Sequence, residues 1–354
     1  MSSVIVERTK TPKARPAEND LGFGRHFSDH MLTLQYEPKA GWHDPKVVPY
    51  APIPMDPAAG VFHYGQALFE GLKAFRGTDG SVSLFRLDEH CARMARGAPR
   101  LCMPPVEPAL MRELVLEYMK VEADWVPRSS GTSLYLRPTM IATEGFLGVR
   151  ASQRYLFFII ASPVGAYYAG GVKPVRIWVE REHTRAAKGG LGAVKAGANY
   201  AASLLAASRA KEKGYDQVLW LDAEKHDQVE EVGTMNLFAV LGDELVTPPL
   251  SDSILAGVTR NCVLQLAKGY GLKVSERPLA ISELTQSSKS GALKEVFGSG
   301  TAAVISPVGE LSWTGGSLQV NKGEVGPIAG RLYEEISAIQ RGGRPDTHRW
   351  LTKV

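Results

Sequence analysis

The stretch Gly189–Ser203 reads Gly-Gly-Leu-Gly-Ala-Val-Lys-Ala-Gly-Ala-Asn-Tyr-Ala-Ala-Ser and carries a single charge, on Lys195. Four glycines surround this lysine, and glycine lets the backbone approach a bulky group closely. An ammonium in apolar surroundings is poorly hydrated, which lowers its pKa and frees the amine for Schiff-base chemistry. Tyr200 follows five residues later and offers a phenol to the same ligand. Taken alone, the stretch is also compatible with a flexible loop that carries a solvated lysine.

The length and composition are those of an ordinary globular protein. A chain of 354 residues exceeds the size at which one hydrophobic core stops growing, so two domains are expected. The net charge of +4 comes from 41 basic and 37 acidic residues spread along the chain. Such a weak basic excess suits small anionic ligands and does not predict a nucleic-acid partner.

The cysteines and the apolar runs predict the cellular environment. Cys91, Cys102 and Cys262 are an odd number without metal-ligand spacing, so we predict reduced thiols in a cytoplasmic protein and no metal site. No apolar run reaches the length of a membrane span. Residues 1–20 lack the apolar core of a signal peptide and are predicted to form a loose, solvated tail.

A change in the character of the chain predicts the domain boundary. Pro163–Gly171 contains three glycines and a proline and is the best linker candidate. We therefore predict a small N-terminal domain over 21–163, a linker over 164–173 and a large cofactor-binding domain over 174–354. Strands and helices are mixed without strict alternation, which favours an α+β or mixed-sheet arrangement over a doubly wound fold.

Several local predictions concern segments near the expected site. Trp42–Pro54 reads as a proline-punctuated connection, and Gly65–Phe75 as a turn, a short helix and then a strand. Two paired strands, Ser133–Ile141 and Tyr155–Ala161, are expected to be joined by the loop Thr143–Gln153. Residues 296–308 are expected to cross a Gly-Ser-Gly turn.

Two glycine-rich stretches resemble phosphate-binding motifs. Gly298–Ala303 fits the dinucleotide pattern G-x-G-x-x-A, but that pattern must open a helix, and the residues after it look like a strand ended by Pro307. Gly192–Lys195 lacks the spacing of a P-loop. Gly298–Ala302 still predicts a nest of amides, and Leu255–Thr259 places a glycine before a helix N-terminus. Each has an ordinary structural explanation, yet with Arg93 they outline a phosphate pocket.

Glu230 and Glu231 enter an otherwise apolar strand. An unpaired buried charge is expensive, and a protonated pyridine nitrogen would be a suitable partner, since it would make the ring an electron sink. The alternative, a solvated pair at the end of a strand, suits Glu230 better than Glu231.

A lysine, a phosphate pocket, a carboxylate and a phenol are what pyridoxal 5'-phosphate requires. The sequence resembles the branched-chain-amino-acid aminotransferases of the fold-type IV pyridoxal-phosphate class, in their long, eukaryotic-type group. The resemblance runs in family order from about Phe23 to the C-terminus. Its motifs are Phe69–Phe75, Tyr135–Pro138, Pro163–Tyr167, Lys195–Tyr200, Glu231–Phe238 and Phe297–Ala302.

The resemblance implies roles toward the cofactor. Lys195 corresponds to the lysine that binds pyridoxal 5'-phosphate and shuttles protons, Tyr200 to the phenol on its O3' atom, and Glu231 to the partner of its ring nitrogen. The other implied cofactor contacts are Arg93, Val258 and Thr259 at the phosphate, Leu255 on the ring, Thr234 and Thr301.

The resemblance also implies the substrate contacts. Thr301 and Ala302 correspond to amides that hold the substrate carboxylate, and Leu147 and Val149 to residues lent by the partner subunit of a homodimer. The wall for the substrate side chain corresponds to Phe23, Tyr64, Phe69, Tyr135 and Thr234. We expect Arg137 to receive the γ-carboxylate of glutamate, with a structural salt bridge as the alternative. Mammalian relatives have a Cys-x-x-Cys pair where this chain has Ala303 and Ser306, so a thiol switch there is in doubt.

The implied architecture is the two-domain, D-amino-acid-aminotransferase-like α+β fold, with a smaller α/β N-terminal domain and a larger mixed sheet or barrel. The implied activity is transamination of leucine, isoleucine and valine with 2-oxoglutarate. D-amino-acid aminotransferase and aminodeoxychorismate lyase are alternatives on the same fold. A non-catalytic protein that retains the fold is the alternative from another class.

Overall fold

The computed structural model describes residues 3–166 and 171–354. Residues 167–170 of the predicted linker 164–173, with Tyr167 of its motif, lie outside the described residues. The chain forms two compact units. The first unit comprises Met1–Ala169, Val194–Ala198 and Ala338–Val354, and the second comprises Gly170–Ala193 and Asn199–Ser337.

These units differ from the predicted domains, 21–163 and 174–354, in two segments. Ala338–Val354 belongs to the first unit because its last strand pairs with an N-terminal strand. Val194–Ala198 also belongs to the first unit, since the Phe69 N–H donates to the Lys195 carbonyl over 3.1 Å. The first unit therefore takes in segments from both ends of the chain.

One mixed sheet of nine strands forms the first unit, in the order β1-β3-β2-β8-β7-β5-β6-β18 with β4 paired to β7. Buried and partly exposed residues alternate along much of β7 and β8, as expected for strands with one buried face. The strands are β1 (Ile5–Val6), β2 (His30–Glu37), β3 (Gly41–Pro49), β4 (Ala67–Phe69), β5 (Leu72–Arg76), β6 (Val82–Phe85), β7 (Ser133–Ala142), β8 (Tyr155–Val164) and β18 (Leu351–Lys353).

The N-terminal segment is attached to this sheet, in contrast to the predicted loose tail. Ile5 and Val6 pair in parallel with β3. The Glu18 carboxylate accepts the N–H groups of Arg128 and Ser129 over 2.8 and 2.6 Å. These hydrogen bonds hold the N-terminal segment against the first unit, whereas the sequence had predicted that it is solvated.

A closed barrel forms the second unit. Its strands follow the order β11-β10-β9-β16-β15-β12, and β12 pairs back with β11 to close a ring of six. Parallel and antiparallel pairs both occur, so the predicted mixed sheet or barrel is confirmed. The strands are β9 (Val175–Val179), β10 (Gln217–Leu221), β11 (Val229–Val232), β12 (Met235–Leu241), β13 (Glu244–Thr247), β14 (Lys273–Glu276), β15 (Leu293–Gly300), β16 (Val304–Trp313) and β17 (Gly316–Gln319).

Seven α-helices occur in the described residues. Of these helices, none combines the length and the apolar character that crossing a membrane requires. They are α1 (Gly60–Tyr64), α2 (Leu87–Gly97), α3 (Pro108–Glu122), α4 (Gly197–Glu212), α5 (Val258–Gly269), α6 (Ile281–Ser290) and α7 (Pro327–Gln340).

Three local predictions were wrong. Trp42–Pro54 contains most of strand β3, and Pro45 is tolerated because the β2–β3 register shifts there. Gly65–Phe75 contains no helix; α1 precedes it and β4 and β5 occupy it. Gly298–Gly300 lies within β15, where a Cβ on Gly298 would approach Met235 Cε to 2.8 Å, so close packing explains this glycine.

Candidate active site

Lys195 lies between an irregular segment and the start of α4 at Gly197. An isolated bridge between Leu68 and Ala196 and the hydrogen bond from Phe69 attach this segment to β4. The Lys195 Nζ lies 4.8 Å from the centroid of the Phe69 ring. Burial, and then the charge of Arg93, lower the pKa of Lys195 to about 8. An amine with this pKa is about one tenth unprotonated at pH 7, so a nucleophile is available.

A second desolvated lysine lies in the same unit. Lys73 is buried on β5, directly across from Tyr135 on β7, and burial lowers its pKa to about 8. We predicted no role for Lys73 from the sequence. The signal was its place within the motif Phe69–Phe75, where a lysine interrupts apolar strand residues.

The predicted phosphate contact Arg93 is buried on α2 and forms a two-point ion pair with Glu70. Its Nε donates to Glu70 Oε1 over 2.6 Å, and its Nη2 donates to Oε2 over 2.9 Å. His90 Nδ1 contacts the same Oε2 over 2.9 Å. Burial lowers the pKa of His90, so the ring is neutral and donates through Nδ1. The sequence did not identify Glu70 or His90 as partners of Arg93.

Four predicted substrate contacts come together in the first unit. Arg137 Nη2 donates to the Tyr135 hydroxyl over 2.9 Å, and its guanidinium lies 4.6 Å from the Phe69 ring centroid. The Phe23 ring meets the Tyr135 ring edge-on at 5.0 Å. Arg137 therefore contacts two aromatic side chains of the predicted substrate wall.

The loop that carries Leu147 and Val149 contacts the segment around α1. The Tyr64 hydroxyl donates to the Leu147 carbonyl, and the Phe146 N–H donates to the Ala58 carbonyl over 3.1 Å. Leu147 is 59% exposed and Val149 is 87% exposed. The backbone of this loop is therefore held while its apolar side chains face away from their own chain.

Glu231 is a buried carboxylate of the second unit that is paired with an arginine. It is 3% exposed on β11, and its Oε2 lies 3.0 Å from Arg185 Nε. Its Oε1 accepts the Leu255 N–H over 2.8 Å and the Asn236 Nδ2 over 3.4 Å. A carboxylate with a guanidinium and an amide donor is stabilised as the anion.

Glu231 also lines a solvent-open cavity within the second unit. Three further predicted contacts, the ring-stacking Leu255, the phenol Tyr200 and Thr234, line it as well. The remaining lining residues are Arg185, Asn199, Ser203 and Gly233.

Glu230, the neighbouring residue, has a different environment. Its Oε1 accepts the Ser253 hydroxyl, and its Oε2 has no hydrogen-bond partner among the described residues. Burial raises the pKa of Glu230. Adjacent strand residues point to opposite faces, so only Glu231 faces the cavity.

Backbone amides supply two candidate anion sites in the second unit. Helix α5 begins at Val258 after Gly257 without a side-chain cap, so its first N–H groups, those of Val258 and Thr259, suit an anion. Thr301 and Ala302 lie in the turn after β15, which ends at Val304 with φ of +63°. A β-branched residue rarely adopts this conformation, and such strain often marks ligand-binding turns.

The donor set fits pyridoxal 5'-phosphate. The cofactor needs an amine for its aldehyde, an anion for its ring nitrogen, a phenol for its hydroxyl and amide donors for its phosphate. The first unit offers such an amine in Lys195, and the second unit offers an anion in Glu231, a phenol in Tyr200 and amide donors at the start of α5.

Comparison with known proteins gives a consistent result. A family model described as amino-transferase class IV matches residues 67–311. The branched-chain-amino-acid aminotransferase 2 of Bacillus subtilis (strain 168) is 51% identical over 352 residues, which cover 99% of this chain and 97% of the relative. The Escherichia coli branched-chain amino acid aminotransferase structure has a TM-score of 0.74 at 29% identity, covering 86% of this chain and 95% of its own. The structure of the T.th. branched-chain amino acid aminotransferase complexed with N-(5'-phosphopyridoxyl)-L-glutamate has a TM-score of 0.72 at 27% identity. The match covers 91% of this chain and 97% of that structure's chain.

Proposed function

The chain belongs to the amino-transferase class IV family, and we propose that its own residues hold pyridoxal 5'-phosphate and exchange the amino group of leucine, isoleucine and valine with that of glutamate. The enzyme is a branched-chain-amino-acid aminotransferase. The reaction yields branched-chain 2-oxo acids, with 2-oxoglutarate as the acceptor of the amino group. The relatives at about half identity favour this activity over D-amino-acid aminotransferase or aminodeoxychorismate lyase.

Lys195 is the proposed catalytic base. When bound, the cofactor acts as an electron sink for charge that develops at the substrate Cα. Lys195 would hold the cofactor through its aldehyde and, as a free amine, would accept the proton of the substrate Cα. A pKa of about 8 suits both tasks, because general acid–base catalysis works best when the pKa lies near the working pH.

Glu231 is proposed to bind the protonated ring nitrogen. Arg185 supports the anionic form from one side, at 3.0 Å, and the Leu255 N–H fixes the other oxygen at 2.8 Å. Tyr200 is proposed to hold the cofactor O3' and Leu255 to pack on the ring. This buried, paired anion that lines a cavity with the phenol is the observation that carries the proposed function.

The anionic groups of cofactor and substrate are assigned to amides and one arginine. The start of α5, at Val258 and Thr259, binds the phosphate together with Arg93. Thr301 and Ala302 bind the substrate carboxylate with their N–H groups, and Thr301 and Thr234 also contact the cofactor. Amide donors hold an anion without requiring a buried cation for each charge.

One proposed pocket accepts both substrate classes. Phe23, Phe69 and Tyr135 offer apolar and aromatic surface to a branched side chain, with Tyr64 and Thr234 completing the wall. Arg137 offers its guanidinium to the γ-carboxylate of glutamate, and the Tyr135 hydroxyl at 2.9 Å orients it.

The homodimer is a further part of the proposal. Exposed apolar side chains are costly for a monomer, and Leu147 and Val149 are more than half exposed on a loop whose backbone is held. We propose that these two side chains complete the substrate pocket of a partner subunit. The location is proposed to be cytoplasmic, because the three cysteines form no disulfide among the described residues.

Borohydride reduction in the presence of pyridoxal 5'-phosphate tests the central assignment. Lys195 should carry the reduced cofactor in a peptide map by mass spectrometry. Lys73 is the internal competitor, because it is buried in the same unit and has a similarly lowered pKa. The Lys195→Ala variant should bind the cofactor without becoming labelled. Label on Lys73 or on any other lysine would overturn the assignment.

A further inference from the structure

Glu70 is the most completely buried charged residue of the first unit, with an exposed fraction of 0%. It lies between β4 and β5, where its own N–H donates to the Pro138 carbonyl over 2.8 Å. Its carboxylate accepts two bonds from Arg93, one from His90 and one from the Gly71 N–H at 3.1 Å. Burial opposes ionisation, yet Arg93 and His90 hold the pKa of Glu70 well below its ordinary value.

The two bonds from Arg93 use one edge of its guanidinium. Nε and Nη2 donate to separate oxygens of Glu70 at 2.6 and 2.9 Å, which is the parallel, two-point geometry that fixes both the position and the plane of a guanidinium. A guanidinium has five N–H donors. A carboxylate on the Nε edge therefore sets the direction in which the other donors point.

A buried ion pair contributes little net stability compared with apolar residues of the same volume. The pair of Glu70 and Arg93 also has no net charge, so it attracts a phosphate poorly by charge alone. The ion pair instead fixes the orientation of Arg93, because it sets the plane of the guanidinium before a ligand binds. His90 strengthens it by donating to Glu70 Oε2 from the same helix that carries Arg93.

We propose that Glu70 is a positioning residue for the cofactor phosphate, which acts by holding Arg93 in the orientation that meets the phosphate. This inference rests on the proposed function, in which Arg93 contacts the phosphate of pyridoxal 5'-phosphate. Glu70 itself does not contact the cofactor. Nothing in the motif Phe69–Phe75 assigns this task to the glutamate; the side-chain geometry does.

The test compares the dissociation constants of pyridoxal 5'-phosphate and of pyridoxal, which lacks the phosphate, on protein freed of bound cofactor. Absorbance follows binding to Lys195. Glu70→Gln should weaken binding of pyridoxal 5'-phosphate about tenfold, the effect of about one hydrogen bond, and leave pyridoxal unchanged. Arg93→Ala should do the same or more. Because Glu70 acts through Arg93, adding Glu70→Gln to Arg93→Ala should have no further effect.

Glu122→Gln is the matched control. Glu122 is also buried in the first unit, at 1% exposed, and also pairs with a histidine, since His30 Nδ1 lies 2.5 Å from its Oε1. Both substitutions remove one buried carboxylate, but only Glu70 contacts Arg93. Glu122→Gln should leave the ratio of the two dissociation constants at its original value.

The outcomes separate this inference from the proposed function. If pyridoxal 5'-phosphate does not bind at Lys195 in the original protein, or Arg93→Ala leaves the phosphate preference unchanged, the proposed function fails. If Arg93→Ala lowers the preference and Glu70→Gln does not, only the role of Glu70 is refuted. Should Glu70→Gln fail to fold, Glu70→Asp keeps the charge and retracts the carboxylate by one methylene. That variant must also lose phosphate preference, or the inference is wrong.

Discussion

The two units treat buried charge in opposite ways. In the first unit, Lys195 and Lys73 are deprived of water and their pKa values fall to about 8. In the second unit, Glu231 is stabilised as an anion by Arg185. One unit thus prepares an amine to lose its proton, while the other holds a negative charge ready for a protonated partner. Both states cost free energy in a protein that has no ligand to satisfy them.

Glu230 and Glu231 repeat the contrast on one strand. The Glu231 carboxylate pairs with the Arg185 guanidinium and accepts the Leu255 N–H. The Glu230 carboxylate accepts the Ser253 hydroxyl, and burial raises its pKa. Neighbouring positions on β11 therefore have different electrostatic environments, because each faces a different set of partners. Residue type alone does not decide which carboxylate is chemically active.

The largest effect is expected from breaking this contrast at Glu231. Glu231→Gln should lower the rate of the half-reaction with leucine by on the order of 10²–10³, the cost of losing one well-placed electrostatic contact. Stopped-flow absorbance of the cofactor measures this rate. The fall should appear in kcat more than in KM, because the charge on the ring matters most when Cα loses its proton.

Glu230→Gln is the control on the same strand. Glutamine is nearly isosteric with glutamate and can still accept the Ser253 hydroxyl, and Glu230 does not line the cavity that Glu231 lines. The half-reaction should therefore keep its rate within about twofold, well below the range of lost catalytic contacts. If Glu230→Gln lowered the rate of the half-reaction strongly and Glu231→Gln barely changed it, the wrong carboxylate would have been assigned to the ring nitrogen.

A smaller effect is expected from the exposed loop of the first unit. Leu147→Ala combined with Val149→Ala should raise KM for branched substrates by about 10- to 200-fold, the value of a methylene or two in an apolar pocket. KM for glutamate should change much less, because apolar contact serves only the branched side chains. Steady-state kinetics with leucine, valine and glutamate measures the difference.

Mixing this loop variant with Lys195→Ala tests whether the loop serves a partner. In a mixed dimer, the intact Lys195 of one subunit would meet the intact Leu147 and Val149 of the other, and one normal site would reappear. If verified heterodimers fail to recover branched-chain activity above that of the two separate variants, each loop serves its own chain.

The smallest effect concerns the desolvated lysines and pH. Their folded-state pKa of about 8 lies below the value near 10.5 of an unfolded chain. Between these values the unfolded chain binds more protons, so the stability of the cofactor-free protein should rise with pH. Lys195→Met should remove part of this rise, up to about 1.4 kcal/mol per pH unit, and should stabilise the protein below pH 8. Urea denaturation from pH 7.5 to 10 measures both.

Lys73→Met sharpens the comparison within the first unit. It should alter the pH dependence of stability in the same direction as Lys195→Met, since the same physical cause lowers both pKa values. It should not abolish labelling of Lys195 by reduced cofactor. Equal loss of labelling in both variants would contradict the assignment of Lys195 as the cofactor lysine.

Much of the secondary structure was predictable from local pattern. Local pattern placed the pair β7 and β8 close to their observed bounds and predicted the start of α5 after Gly257. Gly298–Gly300 was misassigned as a turn because a glycine that turns a chain and one that makes room for Met235 look alike in sequence. The Glu70 carboxylate was missed because its partner Arg93 lies 23 residues away.

The sequence by itself indicated Lys195 as a candidate, because it is the single charge in an apolar, glycine-rich stretch, whereas its burial was decided by the tertiary structure. The sequence also determined the mixed strands and helices, since their periodicity is local. Only the tertiary structure decided how the N-terminal segment is held, that β12 closes a barrel against β11, and that Arg93 is oriented by Glu70. Hydrogen bonds and ion pairs join residues that the chain brings together from a distance, and their geometry exists only after the core has packed.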